Sequence, residues 1–212
     1  MTRLKMNKKI TAIEPQKNNK NRYSVFLDGE YGFSLDDETL VKSRIKVGSE
    51  LSGEDVRYLT EEAGFSYCKE YGMKLLSRKR YTKAELCRRL QEKGFECAED
   101  VCERFLELNL LDDREYARCF ISDAMKISGK GERVIRLELK RKGISDSIID
   151  EMMDGFENND ALLRLVEKKF KGRTNDRKTA ASVFASCIRK GFGADEIRSA
   201  IRKYTDEEFA DD

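Results

Sequence analysis

Lys93-Gly94-Phe95, Lys142-Gly143-Ile144 and Lys190-Gly191-Phe192 are one tripeptide written three times, 49 and 48 residues apart, and their surroundings decide the fold. Each closes a basic, amphipathic stretch: Glu85 to Lys93, Arg133 to Lys142 and Thr179 to Lys190. Eight residues before each glycine stands Leu86, Ile135 or Val183, and four before stands Leu90, Leu139 or Cys187. Such offsets lie on one helical face. A glycine there suits the C′ position, where positive φ stops a helix, and the Phe or Ile beyond it supplies the accompanying hydrophobic contact.

Working outward, each glycine is followed by a second helical pattern: Val101, Phe105 and Leu108, then Ile149 and Met153, then Ile197 and Ile201. The first copy carries one extra residue in its turn. Ahead of each basic stretch lies one more helix, marked by Tyr67, Tyr71 and Leu75, by Tyr116, Phe120 and Ala124, and by Leu163, Val166 and Phe170. Thr82-Lys83-Ala84-Glu85 is a capping box, and Asp112-Asp113-Arg114-Glu115 is a comparable helix start. A unit of about 48 residues repeated three times reads as a tandem array. The fold expected is mainly α, with three tandem three-helix repeats forming an elongated curved array, because each unit alone buries too little.

Residues 1–62 differ in texture. Arg22 to Leu27 and Glu30 to Phe33 are aromatic and β-branched around Asp28-Gly29, a two-residue hairpin signal. Ile10 to Ile13 supplies a third strand, so a small β-hairpin or three-stranded extension precedes the repeats. A short helix is expected near Asp36 to Lys42, and Val47 to Ser52 reads as a loop. The organisation expected is an extension with a linker helix at 1–62 and repeats at 63–110, 111–157 and 158–212, the last with an acidic tail.

Composition narrows the function. The 212 residues include no His, no Trp and one Pro, which removes Ser-His-Asp and Cys-His catalysis and any His metal site. The basic start, Met1 to Lys9, lacks the apolar stretch of a secretory signal, and no run reaches the roughly 18 apolar residues of a spanning helix. Six cysteines (68, 87, 97, 102, 119 and 187) sit within helix-like text and read as reduced, buried thiols of a cytoplasmic protein. The acidic pair Asp112 and Asp113 reads as helix capping, and Gly129-Lys130-Gly131 as a turn rather than a phosphate loop. No catalytic set emerges, and no cofactor or metal is expected.

Charge repeats with the glycines. Lys74 to Lys93 holds eight basic and two acidic residues, Lys126 to Lys142 seven and two, and Arg164 to Lys190 nine and two. Sign then reverses: Glu96 to Glu115 has eight acidic and two basic residues, Asp146 to Asp160 six and none, and Asp195 to Asp212 seven and three. Solvated helix faces explain any one run. Three in the same structural position form a basic stripe beside an acidic one, suited to a phosphate backbone or a protein polymer with both charge signs.

These residues resemble a known family, the RecX regulators of the RecA recombinase. The likeness rests on Arg80 to Leu86, Leu90 and Lys93-Gly94-Phe95 in the first repeat. Leu110-Leu111-Asp112-Asp113, Tyr116-Ala117, Gly129, Gly131, Arg136, Leu139 and Lys142-Gly143-Ile144 carry it through the second. The third is matched more loosely, with Cys187 in place of a larger apolar residue. The resemblance implies a cytoplasmic, non-enzymatic protein that binds RecA and its filament on single-stranded DNA and restrains strand exchange, ATP hydrolysis or co-protease activity; a monomer is expected. Candidate contacts come from the charge pattern: Arg78, Lys79, Arg80, Arg88 and Arg89, then Arg133, Arg136 and Lys140, then Lys171, Arg173, Arg177 and Lys178. The alternative is a tandem-helical protein that binds DNA through the basic stripe with no recombinase partner. A helical adaptor for another protein is a third reading.

Overall fold

The computed structural model describes residues 7–17, 19–174 and 176–205; the acidic tail from 206 onward and the first six residues of the basic start lie outside them. A four-stranded antiparallel sheet leads, in the order β3-β2-β1-β4, from β1 (Lys8–Pro15), β2 (Arg22–Leu27), β3 (Glu30–Asp36) and β4 (Glu50–Leu51). β2 and β3 turn at Asp28-Gly29 with φ of 52° and 89°, the paired positive values of a two-residue hairpin. β4, inside the stretch read as a loop, pairs Leu51 with Lys8 and Glu50 with Lys9. Two residues cannot display an alternation, so only the partner strand reveals them.

A short helix, α1 (Asp37–Ser43), is capped by Asp36, which accepts from the Thr39 amide at 2.7 Å. α2 (Gly53–Leu76) then runs 24 residues from a Ser52–Asp55 capping box, continuous across position 62. Leu59 and Ala63 on its first half close the sheet's core of Ile10, Val25, Leu27, Phe33, Leu35 and Leu51. Buried Arg22 joins the two, donating from Nη2 to the carbonyls of Ser34 (2.9 Å) and Ala63 (3.4 Å) with its guanidinium over the Tyr67 ring. The second half of α2 is the first helix of the first repeat.

Two helices follow in each repeat: α3 (Lys83–Glu92) and α4 (Ala98–Glu107) in the first; α6 (Glu132–Arg141) and α7 (Asp146–Met153) after α5 (Asp113–Asp123) in the second; α9 (Arg177–Lys190) and α10 (Ala194–Arg202) after α8 (Asn159–Phe170) in the third. A single π-helical turn, Ala124–Ser128, prolongs α5. The chain divides into two compact units, Met1–Arg80 with Leu86–Leu110, and Tyr81–Glu85 with Leu111–Asp212.

The repeated glycines end their helices as expected: Gly94, Gly143 and Gly191 have φ of 94°, 81° and 93°. Behind them Phe95, Ile144 and Phe192 donate to the carbonyls of Leu90, Leu139 and Cys187. Leu86, Ile135, Val183, Leu90, Leu139 and Cys187 are all fully buried. The next helix starts four residues after Gly94 but three after Gly143 and Gly191, which is the extra turn residue of the first copy.

Two expectations are corrected. Leu108 is 47% exposed, being the residue that ends α4. In the first helix of the first two repeats the core takes the neighbours of the aromatic markers, Cys68 and Gly72 beside Tyr67 and Tyr71, and Ala117 and Ile121 beside Tyr116 and Phe120, whereas in the third the markers Val166 and Phe170 are themselves buried. Beside Gly72 the space between the helices is already filled by the ring of Phe105. A Cβ on Gly72 would lie 2.7 Å from the Phe105 ring, so the tyrosines sit at the margin, against Phe95.

Candidate partner-binding surface

Within the second unit, the end of one middle helix abuts the start of another. The Gly131 amide donates to the Lys190 carbonyl (2.9 Å) and the Arg133 amide to the Gly191 carbonyl (3.1 Å). A Cβ on Gly191 would lie 2.6 Å from the Val134 nitrogen. The first turn of α3 meets Gly143 in the same way: the Thr82 hydroxyl donates to the Lys142 carbonyl at 2.6 Å, and a Cβ on Gly143 would lie 2.2 Å from that of Ala84. Glycine is therefore required there for backbone approach as well as for its φ. Glu85 of the capping box pairs with Lys142 at 3.0 Å. Burial alone would lower the Lys142 pKa, but hydrogen bonds with Tyr116 and Glu85 outweigh it and hold the ammonium above its ordinary value.

Onto this frame the candidate cations fall in two classes. Arg88 and Arg89 are exposed on α3 and both face Glu92, at 3.8 and 3.3 Å. Arg136 donates from Nε to Glu132 (2.7 Å) and from Nη1 to Asp150 on α7 (2.5 Å), and Glu132 first, then Asp150, raises its pKa against the pull of burial. Lys140 pairs with Asp146 at the start of α7 at 2.7 Å. In this repeat the acidic helix after the glycine turns back and neutralises the basic helix before it. The alternation of sign along the chain is here an internal pairing.

The third repeat is different. Lys171 and Arg173 lie in the turn between α8 and α9, and Arg177 and Lys178 open α9; all four are exposed and have no ion pair among the described residues. Asp176, the acidic residue amid them, is committed to the helix start. It accepts from the Thr179 amide (2.7 Å) and the Thr174 hydroxyl (2.8 Å), and these bonds, the amide foremost, hold its carboxyl below the usual range. Arg164 and Lys168 precede Lys171 at helical spacing on α8, exposed and equally without an ion pair among the described residues. The i, i+4, i+7 spacing of 164, 168 and 171, legible in the sequence, adds these two to the candidate patch. Of the remaining candidates, Arg78, Lys79 and Arg80 are exposed in the turn after α2, and Arg133 is exposed on the first turn of α6. A patch of unneutralised cations on one turn and its flanking helices attracts polyanions or acidic protein surfaces. Among the described residues no group is arranged to hold a metal ion, and no helix is long and apolar enough to cross a membrane.

Comparison with known proteins gives this architecture its relatives. The RecX N-terminal domain model matches residues 8–52, and those of the first and second RecX three-helix domains match 68–107 and 112–153. A regulatory protein RecX of Clostridium perfringens (strain SM101) is 32% identical over 95% of this chain and 98% of its own. The chain belongs to the RecX family. A RecX of Bacillus licheniformis is 35% identical over 92% of this chain and 76% of its own length. A crystal structure of a regulatory protein RecX superposes with a TM-score of 0.76 at 25% identity, covering 92% of this chain and 99% of that one. The RecX fold also recurs in a structure from Lactobacillus salivarius, at a TM-score of 0.62 over 66% of this chain and 96% of that one.

Proposed function

We propose that this RecX-family protein is a non-enzymatic regulator that binds the RecA recombinase in its filament on single-stranded DNA and restrains it, with the third repeat as the principal electrostatic contact. The observation that carries the contact is the exposed cation group Lys171, Arg173, Arg177 and Lys178, which forms no ion pair among the described residues, set against the internally paired Arg136 and Lys140. Family membership supplies the regulatory role. Direct binding to DNA without a recombinase is the second reading, favoured by the same cations, since exposed Lys and Arg engage phosphates without sequence preference.

One titration separates the two. Single-stranded-DNA-dependent ATP hydrolysis by the recombinase of the same organism is followed as the protein is added, beside a binding assay on the same DNA alone. Hydrolysis that falls while the protein alone leaves the DNA free supports filament regulation. A fall only where the protein already coats the DNA transfers the assignment to direct binding, and no change in either assay removes both.

A further inference from the structure

The basic turn between α8 and α9 has a complementary stretch in the chain itself. Asp206-Glu207-Glu208-Phe209-Ala210-Asp211-Asp212 places five carboxylates in seven positions. The stretch lies outside the described residues, but the point from which it departs does not. After α10 the Tyr204 amide donates to the Ile201 carbonyl at 2.8 Å, and the Tyr204 ring stacks on that of Phe170, centroids 5.3 Å apart and planes 4° from parallel. Phe170 is the buried last residue of α8. Lys171 follows it directly, and the Arg173 amide folds back onto the Phe170 carbonyl at 2.9 Å. The first turn of α9 belongs to the same core, since Ala180 is buried in one cluster with Phe170 and Tyr204 packs against that cluster. The ring stack therefore sets the start of the acidic stretch beside Lys171, Arg173, Arg177 and Lys178, all within the second unit.

We propose that residues 206–212 occupy the basic turn as an internal competitor, which a polyanionic partner must displace before it engages Lys171, Arg173, Arg177 and Lys178. The inference rests on the reading of that turn as the electrostatic contact. Reach is no obstacle: at about 3.4 Å per residue, seven residues extend about 24 Å, twice the diameter of a helix. Tethering supplies the occupancy, because a short linker holds its segment at an effective concentration of about millimolar, enough for contacts that separate molecules would make only weakly. Exposed ion pairs are individually weak and screened by salt, so the occupant yields to a ligand of higher charge density. The segment thus acts as a threshold, excluding sparsely charged ligands and admitting a phosphate backbone or a dense acidic surface.

The first test uses the full chain alone. A water-soluble carbodiimide couples a carboxylate to an amine only where the two touch. At low salt it should join residues 206–212 to Lys171 or Lys178 within one molecule, located by peptide mapping. Excess inorganic polyphosphate, or about 0.5 M salt, which shortens screening to a few ångströms, should abolish the coupling. Coupling to Lys203 alone, coupling only between an isotope-labelled copy and an unlabelled one, or no coupling overturns the proposal. The second test combines Asp206→Asn, Glu207→Gln, Glu208→Gln, Asp211→Asn and Asp212→Asn. Half-inhibition of DNA-dependent hydrolysis should then need about threefold less protein, and the gain should vanish when Lys171, Arg173, Arg177 and Lys178 are replaced by Gln. An unchanged curve overturns the competition, and so does a gain that survives loss of the four cations, which is general charge repulsion. A wild-type chain that couples as expected yet leaves hydrolysis untouched refutes the regulatory reading alone. Falling hydrolysis without the coupling refutes only the internal competitor.

Discussion

Arg136 joins two helices through two carboxylates, whereas Arg177 and Lys178 meet none among the described residues, though all three are cations in basic stretches of the same kind. Replacing Arg136 with Glu would bring a carboxylate against Glu132 and Asp150, so lost activity in that variant would report a disturbed α6–α7 pair. Arg136→Gln is the cleaner probe. Its ion pairs are partly exposed, so it should cost about 1 kcal/mol or less in urea unfolding and leave partner binding almost unchanged. The repeated glycines offer a second comparison at this scale. Gly191→Ala places a methyl group against Val134 backbone at positive φ and should destabilise the second unit by at least about 2 kcal/mol. Gly94 has the same φ, but a Cβ there would meet nothing within 4 Å, so Gly94→Ala should cost only the conformational penalty of about 1 kcal/mol. Equal losses in the two unfolding curves would refute close approach as the reason for the glycine. The tripeptide was plain in the sequence; which copies are pressed against backbone was not, because that depends on residues 50 or more positions away.

At the scale of elements, the turn between α8 and α9 gathers exposed cations that form no ion pair among the described residues. Reversing Lys171, Arg173, Arg177 and Lys178 to Glu together should weaken binding to the filament, or to DNA, by more than about tenfold near 0.1 M salt while circular dichroism stays helical. If those four cations contact phosphates on single-stranded DNA, log K should fall against log salt with a slope of about −3 from them, and the reversed protein should lose that part. Undiminished binding by the folded variant would remove this turn from the interface. The joint between α1, the sheet and α2 has its own signature in pH. Burial works against the charge on Asp36, but hydrogen bonds from Ser66 and Thr39 outweigh it and leave the carboxyl below its ordinary value. A carboxyl depressed on folding contributes stability that is complete above its unfolded value of about 3.9 and is lost as pH falls through the lower folded value. Thermal unfolding of wild type should therefore steepen below about pH 4, and Asp36→Asn should flatten that dependence. Identical pH profiles would show that Asp36 does not tie these elements. The capping residues were legible in advance, since caps act over three positions; the bond from Ser66, 30 residues on, was not.

For the whole molecule, the repeat explains why a near-neutral chain carries such strong local charges. Each basic helix has an acidic successor, and in the second repeat that successor folds back to pair with it. Under the proposed function, the exposed cations of the third repeat are the part offered to a partner. The hydrolysis titration tests them at their proper scale: the wild-type protein should lower DNA-dependent hydrolysis at concentrations where it leaves the DNA alone uncovered, and the four-fold reversal should shift the titration to at least about tenfold higher concentration. Matching curves would mean that regulation runs through another face.

The amino-acid sequence alone determined the three helical units, their C′ glycines, the six core positions before them and the Asp28-Gly29 hairpin, because periodicity, caps and turn chemistry act within a few residues. Only the tertiary structure decided that Glu50 and Leu51 make a fourth strand and that α2 serves both the sheet and the first repeat. It also decided that in the first two repeats the neighbours of the aromatic markers face the core, and which cations are spent inside the fold. Those outcomes depend on how closely distant segments approach, and neither helical period nor charge count carries that distance.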